Sequence, residues 1–79
     1  MKILPNETEI IGKWIKRGAD IVGDINCERI EILIKENLKK LGSDESGWSI
    51  LYQDPNDSRY WEMTFPESQM HGGGPPALT

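Results

Sequence analysis

The sequence is poor in the residues that build disulfides and metal centres. Cys27 is the one cysteine and His71 the one histidine among its 79 residues. A single cysteine excludes an internal disulfide and is typical of a protein from a reducing cytosol. One cysteine and one histidine also cannot supply the four ligands of the usual zinc site. We therefore expect neither a metal nor another cofactor.

Long apolar runs are absent as well. The first residues, MKILPNE, lack the apolar core of a signal peptide. No run approaches the roughly 20 apolar residues that span a bilayer. We therefore expect a cytoplasmic protein without a membrane partner. The length of 79 residues suffices for one domain and not for two.

Positive charge is scarce in the second half of the chain. Residues 1–41 carry eight Lys or Arg and seven Asp or Glu, whereas residues 42–79 carry six acids and Arg59 as their one cation. Because nucleic-acid binding depends on Lys and Arg that contact phosphates, we expect no nucleic-acid partner. Acid concentrated in this way indicates either a basic protein partner or a solvated surface.

The first half of the chain predicts two strands and a helix. Strands over residues 9–17 and 20–22 are joined across Arg17-Gly18-Ala19, and Asp24 or Asn26 can cap the helix that follows. The helix is expected to end at Gly42, because apolar residues recur at helical spacing up to that point. This stripe consists of Cys27, Ile30, Ile34, Leu38 and Leu41.

The second half predicts a β-hairpin. Its turn is Asp-Pro-Asn-Asp at residues 54–57, which combines the preset backbone angle of proline with Asx side chains that bond their own backbone. If Gln53 opposes Tyr60, one face of the hairpin becomes apolar and the other mostly polar. The apolar set is Trp48, Ile50, Tyr52, Trp61, Met63 and Phe65.

These elements predict a small α+β domain in ββαββ order. Residues 1–65 would form one antiparallel sheet with a single helix packed on one face. In that arrangement the helix stripe covers four of the hairpin side chains, which should be buried. These four are Trp48, Ile50, Met63 and Phe65.

Residues 66–79 are expected to form a Gly/Pro-rich tail that ends in GGGPPALT. The glycines resemble a phosphate-binding loop in composition alone, because a following helix and a lysine are missing. Two readings remain, namely a frayed end and a tail that docks on the domain or on a partner. In the second, the glycines let the chain fold back and the prolines rest against Tyr60 or Tyr52.

Acidic residues can also work in pairs as general acid and base in hydrolysis. Asp54, Asp57, Glu62 and Glu67 are the candidates, but nothing in their spacing specifies such a pair. Acids around a turn are more often turn formers. We therefore expect no enzymatic activity.

Several stretches resemble the immunity protein 27 family of bacterial polymorphic-toxin systems. The most distinctive are GSDESGW at residues 42–48, YQDPND with RYWE across residues 52–62, and GGGPP at residues 72–76. The GKW at residues 12–14 and NCERIE at residues 26–31 match as well. Proteins of this family are encoded beside a toxin and bind it to protect the producing cell.

The resemblance implies a binding module without catalysis, whose acidic, aromatic-rich C-terminal half faces a basic toxin surface. Such a surface would be expected on a nuclease. An adaptor domain without a toxin partner is the alternative. Eight residues are the expected partner contacts: Asp44, Glu45, Tyr52, Asp54, Asp57, Tyr60, Glu62 and Glu67.

Overall fold

The computed structural model describes residues 2–67 and 74–79. Over these residues the chain forms one helix and seven strands. They are β1 (Ile10–Ile11), β2 (Trp14–Arg17), β3 (Asp20–Gly23), α1 (Ile25–Ile32), β4 (Lys39–Ser43), β5 (Ile50–Gln53), β6 (Tyr60–Thr64) and β7 (Ala77–Leu78). Strands β1, β7, β6, β5 and β4 make a five-stranded antiparallel sheet in that order, and β2 pairs with β3 alone. The predicted α+β class, with one helix against antiparallel strands, is confirmed.

The β5–β6 hairpin has the predicted register. Gln53 pairs with Tyr60 and Tyr52 with Trp61, so the alternation places Tyr52, Trp61 and Met63 on the face that packs into the core. The turn at residues 54–59 sets this register from local chemistry, because the backbone N–H of Asp54 donates to the carbonyl of Arg59 at 2.8 Å. The predicted hairpin is confirmed.

The end of the chain is a strand in the sheet. Ala77 and Leu78 are fully buried and pair with β1 on one side and with β6 on the other. The preceding prolines lie beside Gly12 and Trp14, whereas the sequence pointed to Tyr60 and Tyr52. Docking of the chain end on the domain is therefore confirmed for residues 74–79. Gly72, Gly73, Met70 and His71 lie outside the described residues.

The first predicted strand is interrupted at Gly12. Its N–H donates to the carbonyl of Pro76 at 2.9 Å, and a Cβ at this position would lie 2.6 Å from both that oxygen and the Cys27 sulfur. Such close approach requires glycine. The chain then leaves the large sheet and forms the β2–β3 hairpin, whose turn contains Gly18 at φ +63°. The single sheet expected from the sequence is thus divided into two.

Helix α1 begins as predicted and ends early. The side chain of Asp24 accepts from the backbone N–H of Cys27 at 3.0 Å and caps the first turn. After Ile32 the helix widens into a π-helical turn (Leu33–Asn37), closed by the N–H of Leu38 on the carbonyl of Leu33 at 2.8 Å. The predicted continuation to Gly42 is wrong, because β4 starts at Lys39 and pairs with β5.

The π-helical turn changes which side chains face the core. Leu33 and Leu38, five residues apart, are both buried, and they pack with Ile30 against the inner face of the sheet. Ile34 is partly buried against the same cluster, whereas Leu41 is 44% exposed in β4. Strand pairing overrode the helical spacing that placed Leu41 on the stripe.

Trp48 is the second error in the predicted core. It is 54% exposed, because β5 begins only at Ile50 and Trp48 stands in the loop before it. Its ring meets the Phe65 ring edge-on, with the centroids 5.5 Å apart. Met63 is buried, as expected, whereas Ile50 and Phe65 are only partly buried against the core.

Candidate partner-binding surface

The loop between β4 and β5 is held by Asp44. One carboxylate oxygen accepts from the hydroxyl of Ser46 and from the N–H of Gly47, both at 2.8 Å. The hydrogen bond from Ser46 is the main reason that the pKa of Asp44 lies below its usual value. Because Gly47 has φ +77°, the loop turns sharply there. The result is a fixed loop that presents Glu45 and Trp48 to solvent.

The turn between β5 and β6 uses its first aspartate internally. Asp54 is buried, and its carboxylate accepts from the backbone N–H of Asn56 at 2.9 Å. Its own carbonyl accepts from the N–H of Ser58, a residue with φ +64°. Asp54 is therefore a turn former, and its burial removes it from the surface that a partner reaches.

Asp57 forms an ion pair with Arg59. Its carboxylate accepts from the backbone N–H of Arg59 at 3.0 Å and from the guanidinium at 2.7 Å. These two hydrogen bonds, the backbone one first, lower the pKa of Asp57. The remaining donors of Arg59 reach the carbonyls of Glu7 at 2.6 Å and Leu4 at 3.0 Å.

The side chain of Arg59 thus makes its contacts within the fold. Besides these hydrogen bonds, its guanidinium lies over the Trp61 ring, 5.0 Å from the centroid. It is the one cation of residues 42–79, and its charge is directed at Asp57 and at backbone carbonyls of the N-terminal segment. The other carboxylates of this half keep a net negative field around the hairpin.

The sheet has an open face on the side away from α1. Leu51 pairs with Glu62 and Gln53 pairs with Tyr60, and the alternation directs these four side chains outward. Tyr60 is 64% exposed and Leu51 42% exposed. The Ser49 hydroxyl donates to the Glu62 carboxylate and holds it along the strand. We call Leu51, Gln53, Tyr60 and Glu62 the open face.

The eight expected contact residues divide into three groups. Tyr60 and Glu62 share the open face, with Asp44 and Glu45 at one end of the β5–β6 hairpin and Asp57 at the other. Glu67 is exposed after Phe65-Pro66. Tyr52 and Asp54 are buried, and desolvation raises the pKa of the Tyr52 hydroxyl.

Exposed apolar side chains extend this surface beyond the expected residues. Trp48 was missed because it fits the alternation of the strand that follows it. Leu41 was missed because it fits the spacing of the helix that precedes it. Leu51 was not among the expected residues, although the Gln53–Tyr60 register directs it to the outer face. Aromatic and aliphatic side chains beside carboxylates form the kind of surface that binds proteins.

Two further features concern chemical reactivity, namely the clustering of metal-ligating side chains and the state of Cys27. Within residues 2–67 and 74–79, no three His, Cys, Asp or Glu side chains are placed to hold a metal ion. Burial raises the pKa of the Cys27 thiol, and Asp24 adds to the effect, so the reactive thiolate is disfavoured. In the same part of the chain, no helix is long and apolar enough to cross a membrane.

The fold and the surface define a small acidic α+β domain with exposed aromatic side chains. The family model described as immunity protein 27 matches residues 16–79, which is most of the chain. The chain belongs to the immunity protein 27 family. No curated protein and no solved structure matches it.

Proposed function

We propose that this chain is an immunity protein that binds and neutralises a bacterial toxin. Membership of the family supports a toxin as partner in general. The main structural observation that supports an acidic binding surface is the engagement of Arg59 by Asp57, Leu4 and Glu7. Because Arg59 pairs with Asp57, no cation of residues 42–79 is left to offset the other exposed carboxylates, which act on a partner as a negative field.

The toxin surface in this proposal is basic. Glu45, Glu62 and Glu67 are exposed, with Asp44 in the loop before the hairpin, whereas the charge of Asp57 is paired with Arg59. Opposite charge accelerates encounter, and a few aromatic side chains in the contact then slow dissociation. Tyr60 on the open face is the aromatic residue of the expected set that a partner reaches directly.

A nuclease is the toxin class that best fits such a surface. Nucleases hold phosphates with Lys and Arg, so their active-site face is basic. An acidic protein that covers this face competes with the nucleic acid and blocks the enzyme without catalysis of its own. In this proposal the chain acts in the cytoplasm of the producing cell, where such a toxin would meet its substrate.

Co-expression with the neighbouring toxin tests the proposal. Cells that carry the toxin gene encoded beside this chain should stop growing, and they should recover when this chain is expressed with it. A variant with Glu45→Lys and Glu62→Lys should rescue less well, whereas Glu9→Lys with Glu36→Lys changes the charge equally and should rescue fully. Growth arrest that this chain does not relieve would favour the adaptor alternative.

A further inference from the structure

A groove runs between the β2–β3 hairpin, helix α1 and the end of β6. Its volume is about 410 Å³, and its walls are mainly apolar. The main lining side chains are Trp14, Val22, Cys27, Ile34, Met63 and Phe65. Its lining combines residues of the β2–β3 hairpin, which pairs apart from the large sheet, with residues of α1 and of the chain after β6.

The charges along this groove have one sign. Glu28 and Glu31, three residues apart on α1, are the charged residues in its lining, and no Lys, Arg or His of the described residues joins them there. Both carboxylates are on exposed residues at the rim. A cation beside an apolar group would therefore find its counter-charge at the edge of the groove.

Phe65 links the groove to the loop between β4 and β5. Phe65 lines the groove, and the ring of Trp48 meets the Phe65 ring edge-on at a centroid distance of 5.5 Å. Trp48 is 54% exposed and belongs, like Glu45, to the loop that Asp44 holds. Carboxylates thus lie on two elements near this apolar surface, Glu28 and Glu31 on α1 and Glu45 in the loop that carries Trp48.

We propose that this groove receives an apolar side chain of the toxin, flanked in the toxin sequence by Lys or Arg. This inference rests on the proposed function and locates the anchor of the complex. Binding energy in protein interfaces concentrates in a few large side chains that enter desolvated pockets. A second copy of the chain fits poorly, because it would bring its own Glu28 and Glu31 and its net charge of −4 against the same rim.

Charge reversal at the rim provides the first test. The probe is the catalytically inactive form of the toxin encoded beside this chain, and the readout is its Kd by isothermal titration. Glu28→Lys with Glu31→Lys should weaken the Kd by about tenfold or more. The matched control is Glu9→Lys with Glu36→Lys, which makes the same charge change outside the groove lining and should leave the Kd within about twofold.

Alkylation of Cys27 in the chain without substitutions provides the second test. It is the single cysteine of the chain and lines the groove, so modification by N-ethylmaleimide, read by mass spectrometry, reports on occupancy. The bound toxin should slow this modification at least severalfold. If the rate of Cys27 alkylation instead decreases as the concentration of the chain rises in the absence of toxin, a second copy is the occupant. That result would overturn the inference.

The outcomes separate the two proposals. If the toxin binds and neither the rim variant nor the modification rate responds, the groove is not the anchor and the proposed function stands. If the toxin does not bind the unmodified chain, the proposed function fails and the groove inference fails with it. A weakened Kd together with slowed modification supports both.

Discussion

The guanidinium of Arg29 binds both carboxylate oxygens of Glu7, with each N···O distance 2.6 Å. The pair joins the N-terminal segment to the middle of α1, and Arg29 also donates to the carbonyl of Lys2. Both side chains are about four-fifths buried. The hydrogen bond from Arg29 is the main cause that lowers the pKa of Glu7 from 4.5 to about 2.

Glu7→Gln should lower the free energy of unfolding at neutral pH by about 1 to 3 kcal/mol, because a charged, bidentate hydrogen bond is lost. The folded pKa of Glu7 lies below its unfolded value, so the carboxylate stabilises the fold above about pH 4.5. This contribution disappears as the pH falls toward 2.

Urea unfolding at several pH values measures this effect. The difference between the unmodified chain and Glu7→Gln should shrink steadily over that acidic range. Glu9→Gln is the matched control, since Glu9 is exposed two residues away. A constant difference at every pH would mean that the Glu7 charge does not stabilise the fold.

Leu33→Ala should lower the free energy of unfolding by about 2 to 5 kcal/mol, because Leu33 is fully buried. Leu41→Ala removes the same atoms from an exposed site and should cost less than about 1 kcal/mol. Comparison of the two variants tests the π-helical turn, which buries Leu33 and leaves Leu41 exposed. The regular helix predicted from the spacing would instead bury Leu41. Similar denaturation midpoints for the two variants would show that Leu41, not Leu33 alone, packs in the core.

The last strand should contribute as much as the central ones. Leu78 is fully buried between β1 and β6, so Leu78→Ala should cost about 2 to 5 kcal/mol although it lies one residue from the end of the sequence. Leu51→Ala on the open face is the control and should cost less than about 1 kcal/mol. Amide hydrogen exchange adds a second readout, and unprotected amides at residues 77–78 would contradict the pairing.

Association with the toxin should depend on the exposed acids. Glu45→Lys with Glu67→Lys should slow the association rate at low salt by about tenfold and flatten its dependence on ionic strength. Both residues are exposed, whereas reversal of Asp44, Asp54 or Asp57 would also break hydrogen bonds that hold the turns. Stopped-flow rates equal to those of the unmodified chain would locate the steering charges elsewhere.

Local chemistry explains what the sequence predicted correctly. The β5–β6 register follows from one turn and from alternation over a few residues, and the Asp24 cap follows from a single side chain. The pairing of β7 with β1 could not be predicted, because it joins residues more than sixty positions apart. A strand of two residues is also too short to show an alternating pattern. The end of α1 was missed for a related reason, because pairing of β4 with β5 outweighs helical spacing.

The candidate surface also combines features that composition predicts with features that depend on the tertiary structure. The excess of acid in residues 42–79 is a property of composition and was available from the sequence. The burial of Asp54 depends on how the turn folds over its carboxylate, and the exposure of Trp48 depends on where β5 starts. The groove above Phe65 arises from the path of the β2–β3 hairpin, which no local pattern encodes.

Isothermal titration of the purified chain against the catalytically inactive neighbouring toxin tests the central claim most directly. We expect a complex with a Kd below about 1 µM, as is usual for a specific protein interface. The Kd should weaken as salt is added, because exposed carboxylates meet a basic surface. Absence of binding at micromolar concentrations would contradict the claim that this member of the immunity protein 27 family neutralises that toxin by binding it.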